Sequence, residues 1–241
     1  MYYENIFHLL LNVLFPPRCV FCRRWMPLTS SDRVCTACRN EITYCMSYQR
    51  CISCGKPIDE EMKKCDFCRV YPNLPFERIC SAYVYEGKAK EALKRFKRER
   101  YQGYAQEFAE YLKAVVEYDC TNVKFDVVIS VPPRPERMKK EGYDQARCLA
   151  KELAGRMNVT YLESVMRQKE KRAKQSGLGR AARMKNVKGN YVVRKPEEIA
   201  GKVVLLVDDI CTTRATFLEC AKMLKEAEAA AVYCASAATT I

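Results

Sequence analysis

Apolar segments with two different periods alternate along the chain from residue 76 to its end. Short apolar runs predict buried strands at 78–85, 126–131, 203–207 and 229–235, and a helix is expected at 102–118. Other apolar residues recur every three or four positions, as on one face of a helix: Ala89, Ala92, Leu93 and Phe96; Ala146, Leu149, Ala150, Leu153 and Met157; and Phe217, Leu218, Ala221 and Leu224. Strands that alternate with helices and are apolar on both faces predict an α/β fold, in which a parallel sheet has helices on both faces.

Cysteine pairs dominate the first 70 residues. The pairs have the form Cys-x-x-Cys and are Cys19 and Cys22, Cys35 and Cys38, Cys51 and Cys54, and Cys65 and Cys68. Two thiolates at this spacing converge from a tight turn on one tetrahedral zinc ion, whereas the spacing strains a structural disulfide. Two consecutive pairs make one site, so we predict two structural zinc ions, with interleaved ligand sets as the alternative. Cys45 has no partner in this pattern and is expected to be a bystander.

The cysteine pattern also divides the chain. A segment this short buries little apolar surface, and metal ligation, about 10–16 kcal/mol for a structural site, would supply its folding energy. We predict an N-terminal helix and a small Cys-rich double zinc ribbon in residues 1–70, a linker at 71–75 and the α/β domain in 76–241. The 15 cysteines are an odd number, and their metal-binding pattern favours a reducing, cytoplasmic location. The sequence has no run of about 18 apolar residues, so no transmembrane helix is predicted.

Positive charge is concentrated in one part of the chain. The formal net charge is +13, and residues 119–200, with nineteen basic and ten acidic residues, carry +9 of it. Within them, the segment 167–188 holds nine basic residues and one acidic residue. Such a segment is either a solvated loop or a landing site for a polyanion such as nucleic acid or pyrophosphate, and composition does not choose. The candidate nucleic-acid contacts are Arg167, Lys169, Lys171, Arg172, Lys174, Arg180, Arg183 and Lys185.

Two adjacent acids and a group of hydroxyl side chains follow the third predicted strand. Asp208 and Asp209 stand at the end of this strand, where unpaired buried carboxylates are costly, so they need hydroxyls, a cation or a metal as partners. Thr212, Thr213 and Thr216 open the next helix, whose first backbone N–H groups and dipole form an anion site. Acids for sugar hydroxyls beside a cradle for a phosphate describe a phosphoribosyl site. The competing interpretation, a nucleotide hydrolase, requires a G-x-x-x-x-G-K-[ST] loop, which the sequence lacks.

The predicted sheet gives this site its location. Ligands of parallel sheets bind beyond the carboxyl ends of the strands. Two loops follow predicted strands and are expected to face the ligand, one at 132–137 and one at 208–216.

The stretch 203–216 resembles the phosphoribosyl pyrophosphate (PRPP) binding motif of type I phosphoribosyltransferases. The whole chain resembles the ComF family, in which a double zinc ribbon precedes that domain. Further matches are Phe-Pro-Pro-x-Cys-x-x-Cys at 15–22, Tyr-Glu-Gly at 85–87, Val131 and Pro132 with Pro135 and Arg137, Gly-Tyr-Asp-Gln at 142–145, and Gln-Ser-Gly-Leu at 175–178 with Arg183 and Asn186.

The family resemblance implies a function and a set of site residues. It implies a cytoplasmic protein linked to DNA uptake in natural competence, with single-stranded DNA and DNA-uptake proteins as candidate partners. It implies PRPP or a related phosphorylated ribose as the ligand, with Mg²⁺ bridging pyrophosphate and ribose oxygens. Asp208 and Asp209 would bind the ribose hydroxyls. The phosphate loop would be Thr212, Thr213, Arg214, Ala215 and Thr216, and the pyrophosphate loop would contain Pro132, Pro133, Arg134 and Arg137.

Four residues depart from the family's pattern, and one of them is Arg172, which stands where the family often has threonine. Arg214 stands where the motif has glycine, and its side chain would either fill the phosphate site or grip phosphate bidentately. Glu141 and Asp144 replace the arginine and the asparagine of Arg-Gly-Phe-Asn-Gln. No general base stands out, because His8, the only histidine, lies outside the α/β domain. Two function classes stay open: a phosphoribosyltransferase acting on PRPP, with its catalytic residues unassigned, and a non-catalytic accessory protein that binds single-stranded DNA.

Overall fold

The computed structural model describes residues 12–30, 32–136, 138, 142–169 and 189–241. The strands are β1 (Ile79–Val84), β2 (Val127–Ser130), β3 (Thr160–Tyr161), β4 (Met166–Gln168), β5 (Tyr191–Val193), β6 (Val203–Cys211) and β7 (Ala231–Thr239). The α-helices are α1 (Thr36–Glu41), α2 (Asp66–Val70), α3 (Gly87–Glu99), α4 (Gln102–Asp119), α5 (Gln145–Met157) and α6 (Ala215–Glu226). Within these ranges, no helix has the length and apolar character needed to cross a membrane.

Five of the described strands form one parallel sheet. Their order is β1-β7-β6-β2-β3, and every neighbouring pair is parallel. The strands β4 and β5 form a separate antiparallel pair. Every residue of β1 is buried, as expected for a strand covered on both faces. The predicted α/β fold with a parallel sheet is confirmed.

The two faces of the sheet support two hydrophobic cores, and each ribbon contributes to a different one. Side chains of α3, α4 and α5, such as Leu93 and Leu149, form one core together with Phe21 of the first ribbon (residues 16–42). The other core joins Phe217 of α6 to the cysteines of the second ribbon (residues 49–70). The ribbons are therefore built into the packing of the α/β segment, one on each face.

Aromatic and ionic contacts connect the ribbons to the α/β segment. The ring of Phe21 lies 5.5 Å from that of Tyr83 in β1 and 6.0 Å from that of Phe108 in α4. In the second ribbon, Nη1 of Arg50 lies 2.6 Å from Oδ2 of Asp119, whose side chain is 2% exposed. A domain boundary at 71–75 stays a prediction, but the segments on its two sides share both cores.

The ribbons also cover the outer edge of β1, which is the terminal strand of the sheet. The N–H of Val84 donates to the carbonyl of Thr43 at 2.9 Å, and the N–H of Ile79 donates to the carbonyl of Cys54 at 3.2 Å. Gly55 has a φ of +73°, and a Cβ added to it would lie 2.3 Å from the carbonyl oxygen of Ile79. Both the backbone conformation and this close approach require glycine. These contacts occupy backbone groups that a free sheet edge would expose to other chains.

The strand β6 is longer than the sequence predicts. The predicted strand ended before the two acids, which were expected in the following loop, but β6 continues through Cys211. The extension forms because β7 supplies backbone partners, pairing Ser236 with Asp208 and Thr239 with Cys211. Acidic residues are poor strand formers, so the local pattern ended the strand too early. The connection from β6 to α6 is therefore only residues 212–214.

Candidate functional site

The eight paired cysteines form two separate groups. One contains Cys19, Cys22, Cys35 and Cys38, and the other contains Cys51, Cys54, Cys65 and Cys68. Within each group, the sulfur atoms all lie within 4.8 Å of one another. The sequential assignment of the ligand sets is confirmed, and Cys45 is buried outside both groups.

The geometry of both groups fits tetrahedral zinc. The N–H of Cys35 donates to Sγ of Cys19, and the N–H of Cys65 donates to Sγ of Cys51, both at 3.4 Å. One pair of sulfur atoms in each group lies 3.7 Å apart. Four sulfurs that surround zinc at about 2.3 Å are about 3.8 Å from one another. The donor set and its spacing therefore suit one zinc ion per group without rearrangement of the chain.

Electrostatics within each group lowers the pKa of one thiol and raises the pKa of others, and the thiolate is the form that binds metal. Burial raises the pKa of Cys35, but hydrogen bonds from the backbone and side chain of Cys38 help to lower it by a larger amount. The pKa of Cys35 is therefore about 7. In the second group, hydrogen bonds from Cys54 and Cys68 lower the pKa of Cys51. Each group thus holds at least one thiol that is readily deprotonated.

The two acids of β6 point to opposite faces of the sheet. Oδ2 of Asp209 lies 3.2 Å from Nζ of Lys97, which belongs to α3. Asp208 lies on the side of α6, where burial and the Asp208 charge both raise the pKa of Cys220. Burial, and then the charge of Asp209, raise the pKa of Asp208 itself. The structure brings both acids to the carboxyl half of β6, but it gives them different neighbours.

The phosphate loop (residues 212–216) is anchored through its carbonyl groups. The hydroxyl of Thr239 donates to the carbonyl of Cys211 at 2.9 Å, and the hydroxyl of Thr240 donates to that of Thr212 at 3.1 Å. Among the residues that the structure describes, no side chain caps the N-terminus of α6. The first N–H groups of a helix have no acceptor within the helix, so this end can bind an anion. Thr212, Thr213 and Thr216 are half-buried there, and Ala215 is buried.

Arg214 lies in the phosphate loop, but its side chain contacts the second ribbon. Its φ of +62° explains why glycine suits this position in the family. The residue is 2% exposed, and its guanidinium carbon lies 5.7 Å from the centroid of the Phe67 ring. Burial lowers the pKa of the guanidinium, and the neighbouring Cys211, Cys54 and Cys65 side chains raise it by more. The sequence left two roles open for Arg214, filling the phosphate site or gripping phosphate. The structure shows neither, because the side chain is buried against Phe67 of the second ribbon.

The pyrophosphate loop (residues 132–137) begins beside the acids. The N–H of Val131 donates to the carbonyl of Val207 at 2.8 Å, so the segments that follow β2 and β6 start next to each other. Pro132 and Pro133 are half-buried and Arg134 is exposed, while Arg137 lies outside the described residues. A cavity of about 200 Å³ opens here, with Ser130, Pro132, Pro133, Asp144, Arg147 and Tyr161 in its lining.

Two residues that the sequence did not assign also reach the site. Lys97 lies outside the apolar stripe of its helix, and only the fold brings its amine to Asp209. Burial, and then the charges of Cys220 and Asp208, raise the pKa of Tyr191, whereas a hydrogen bond with Thr216 and the charge of Arg134 lower it by less. Tyr191 is therefore a neighbour of Thr216 in the phosphate loop. No local signal marked either residue, because both act through partners distant in sequence.

Of the other departures from the family pattern, Asp144 has a structural role. It is the N-cap of α5, and its side chain accepts the N–H of Arg147 at 3.2 Å. Among the nucleic-acid candidates, Arg167 and Lys169 are exposed. Several predicted positions lie outside the described residues: Glu141, Lys171, Arg172, Lys174, Arg180, Arg183, Lys185 and most of the predicted N-terminal helix.

Comparison with protein-family models identifies both parts of the chain. The model of the double zinc ribbon domain matches residues 10–69. The model of the phosphoribosyl transferase domain matches residues 99–240, more than half of the chain. The first match agrees with the two four-cysteine groups and supports structural zinc in both.

Similar proteins match nearly the whole chain. The DNA utilization protein YhgH of Salmonella typhimurium is 26% identical over 221 residues, covering 90% of this chain and 94% of that protein. Competence protein ComFC of Bacillus subtilis is 26% identical over 206 residues, covering 83% and 80%. A solved adenine phosphoribosyltransferase from Saccharomyces cerevisiae is 18% identical, covers 57% of this chain and 70% of its own, and has a TM-score of 0.35. The sequence matches and the sheet order carry the assignment: the chain belongs to the phosphoribosyl transferase domain family, and with its double zinc ribbon it is a member of the ComF family.

Proposed function

We propose that the chain binds PRPP, or a related phosphorylated ribose, at the carboxyl ends of β2 and β6. The observation that carries the proposal is the N-terminus of α6, which no side chain of the described residues caps and which follows a strand with two acids in its carboxyl half. Backbone N–H groups of the phosphate loop would bind the 5′-phosphate. The anchored carbonyls of Cys211 and Thr212 support this role, because they hold the loop in place before the ligand arrives.

The charges around the loop suit a ligand with both sugar hydroxyls and a pyrophosphate. Asp209 would accept hydrogen bonds from ribose hydroxyls, while Lys97 balances its charge in the unliganded protein. Arg134, exposed in the pyrophosphate loop, would face the pyrophosphate. Mg²⁺, bound with the ligand and near Asp208 or Asp209, would offset the negative charge of the pyrophosphate.

Transfer of the phosphoribosyl group to an acceptor would use the cavity beside Pro132 and Tyr161. This cavity adjoins the pyrophosphate loop, so an acceptor there would approach the carbon that the pyrophosphate leaves. Ser130 and Tyr161, whose hydroxyl oxygens are 3.0 Å apart, would orient it by hydrogen bonds.

Calorimetry with PRPP and Mg²⁺ on the zinc-loaded protein tests the binding proposal. Asp209→Asn should weaken PRPP binding at least tenfold, because it removes a carboxylate beside the proposed ribose position. The matched control is Asp126→Asn at the opposite end of the sheet, where Asp126 accepts the N–H of Val203 at 2.8 Å. The control should bind as the unaltered chain does. Absence of binding to the unaltered chain, or equal affinity of the Asp209 variant, would refute the proposal.

A second function, binding of single-stranded DNA during DNA uptake, is favoured by the relatives and by charge. The relatives carry the names DNA utilization protein and competence protein. Residues 119–200 carry +9, and Arg167 and Lys169 are exposed there. Phosphate contacts make such binding salt-dependent, with a slope of about 0.7 per contact for single strands.

Fluorescence anisotropy with a labelled single strand tests this function across a range of salt concentrations. Replacing Arg167 and Lys169 together by alanine should lower the affinity and reduce the salt slope by about 1.4. The exposed pair Lys222 and Lys225 of α6, replaced in the same way, is the control and should leave the slope unchanged. No binding at low salt, or an unchanged slope in the Arg167 and Lys169 variant, would exclude the role of these residues.

A further inference from the structure

The two four-cysteine groups differ in their access to water. All four cysteines of the second group are buried, whereas Cys22 and Cys35 of the first group are half-exposed. Four thiolates around Zn²⁺ carry a net charge of −2. Water can stabilise this charge at the first group, but burying a charge without a partner is costly. The second group therefore needs a cation from the protein.

Arg214 is the cation that the fold places there. Its Nη1 and Nη2 atoms are buried, and neither has a hydrogen-bond partner among the described residues. The guanidinium lies against Phe67, which stands between two of the ligand cysteines, and it interacts electrostatically with Cys211 and with the ligands Cys54 and Cys65. Burying a guanidinium without acceptors is also costly, and its positive charge offsets part of the −2 charge of the centre.

The same residue forms the start of α6. Arg214 is the N-cap position, with φ +62°, and its carbonyl accepts the N–H of Leu218 at 2.9 Å. Its backbone is thus part of the phosphate loop, while its side chain packs against the second ribbon. We propose that Arg214 is the counter-charge of the second zinc centre and, through that contact, positions the phosphate loop.

With Arg214 in this role, the conformation of the phosphate loop depends on zinc in the second group. When zinc leaves the second group, the thiols take up protons and the guanidinium loses its counter-charge. A buried unpaired cation is unstable, so the side chain leaves this position and the backbone of residues 212–216 loses a fixed point. Coupling between the affinities of two sites is reciprocal, so a ligand held by the loop would also tighten the binding of this zinc. The ligand effect rests on the proposed function, but the counter-charge role does not.

Cobalt and zinc readouts test the counter-charge role in Arg214→Met and Arg214→Lys. Both variants keep a side chain of similar length, and only the lysine keeps the charge. With Co²⁺ in both groups, Arg214→Met should move the thiolate-to-cobalt absorption of one ion to longer wavelength, because the thiolate electrons are less stabilised. Release of one of the two zinc ions to a chromophoric chelator should become about 10–100-fold faster. Arg214→Lys should restore both signals toward those of the unaltered chain.

Arg95→Met is the matched control, because Arg95 contacts the first ribbon. Its Nη2 donates to the carbonyl of Val20 at 3.2 Å rather than to a ligand sulfur. This variant should leave the cobalt absorption of the second group unchanged. If Arg214→Met shows the absorption and both release rates of the unaltered chain, the counter-charge role is refuted.

The positioning role has its own measurement, which uses the unaltered chain and does not depend on any variant folding. After partial zinc removal, alkylation identifies molecules with free thiols at Cys51, Cys54, Cys65 and Cys68. Hydrogen exchange in residues 212–216 should be faster in these molecules than in those alkylated only in the first group. Equal exchange in both populations overturns the positioning role. PRPP should raise the zinc affinity of the second group, measured by competition with a chelator at equilibrium. If PRPP binds without this effect, the loop is not coupled to the metal. If PRPP does not bind, only the proposed function fails.

Discussion

Replacing Phe21 by alanine should destabilise the α/β segment as well as the ribbon that contains it. Phe21 is 2% exposed, and its ring makes edge-to-face contacts with Tyr83 at 5.5 Å and Phe108 at 6.0 Å. Truncation of a buried phenylalanine costs about 3–5 kcal/mol. The two aromatic contacts, each about 0.5–1.5 kcal/mol, place Phe21 toward the upper end of that range. A loss of this size is a large part of the stability of a typical domain.

Urea denaturation with two optical probes measures this effect. Trp25, the only tryptophan, lies in the first ribbon with the Arg18 guanidinium 3.7 Å from its ring, so its fluorescence reports the ribbon. Far-ultraviolet circular dichroism reports the helices of the α/β segment. Because the core is shared, the two transitions should coincide, and both should move to lower urea in Phe21→Ala.

A second variant in the same ribbon controls for local disturbance. Leu28 is 39% exposed, so Leu28→Ala should change the free energy of unfolding by no more than about 0.5 kcal/mol. The shared core is refuted as a source of coupled unfolding if Phe21→Ala shifts only the fluorescence transition and leaves the circular dichroism transition in place. That result would mean that the ribbon unfolds by itself and that its contacts with the helices contribute little to the α/β segment.

Three further predictions concern the ribbons and the acids. Gly55→Ala should lower the free energy of unfolding by roughly 2–5 kcal/mol, measured by thermal unfolding, because it adds overpacking against Ile79 to an unfavourable φ. The control is Gly201→Ala, which has a φ of +71° and open space around it and should lose only the part that comes from the backbone conformation. Equal losses in the two variants would contradict the close contact between Gly55 and Ile79. Burial and the Asp209 charge raise the pKa of Asp208, so the native state binds its proton more tightly and stability falls as pH rises above the ordinary carboxyl pKa of about 4. When the melting temperature is measured against pH, Asp208→Asn should make this fall less steep. A curve as steep as that of the unaltered chain would contradict the raised pKa of Asp208. Metal analysis of protein purified in reducing buffer without chelator should find two zinc ions per chain, and a value near zero or one would contradict the two-site assignment.

The sequence by itself determined the features that depend on neighbours along the chain. Cys-x-x-Cys spacing brings two thiolates to one turn whatever surrounds it, so the two sequential cysteine groups could be predicted. Continuous apolar runs and helical stripes predicted the helices and four of the five strands of the parallel sheet, because burial on both faces leaves a local pattern. The fifth strand, β3, has only two residues and was not predicted. The motif from Val203 to Thr216 likewise pointed to the carboxyl end of one strand, where the structure places it.

Only the tertiary structure decided which groups meet across the fold. Pairing with β7 drew Asp208 and Asp209 into β6, and the alternation of strand side chains then turned them toward different faces, one of them toward Lys97. The positive φ of Arg214 could be suspected from the family's glycine, but the direction of its side chain could not. That direction depends on the second ribbon, which lies more than a hundred residues earlier and packs beside α6. A local pattern carries information on burial and backbone conformation, whereas the partner of a buried charge is chosen by the packing of segments distant in sequence.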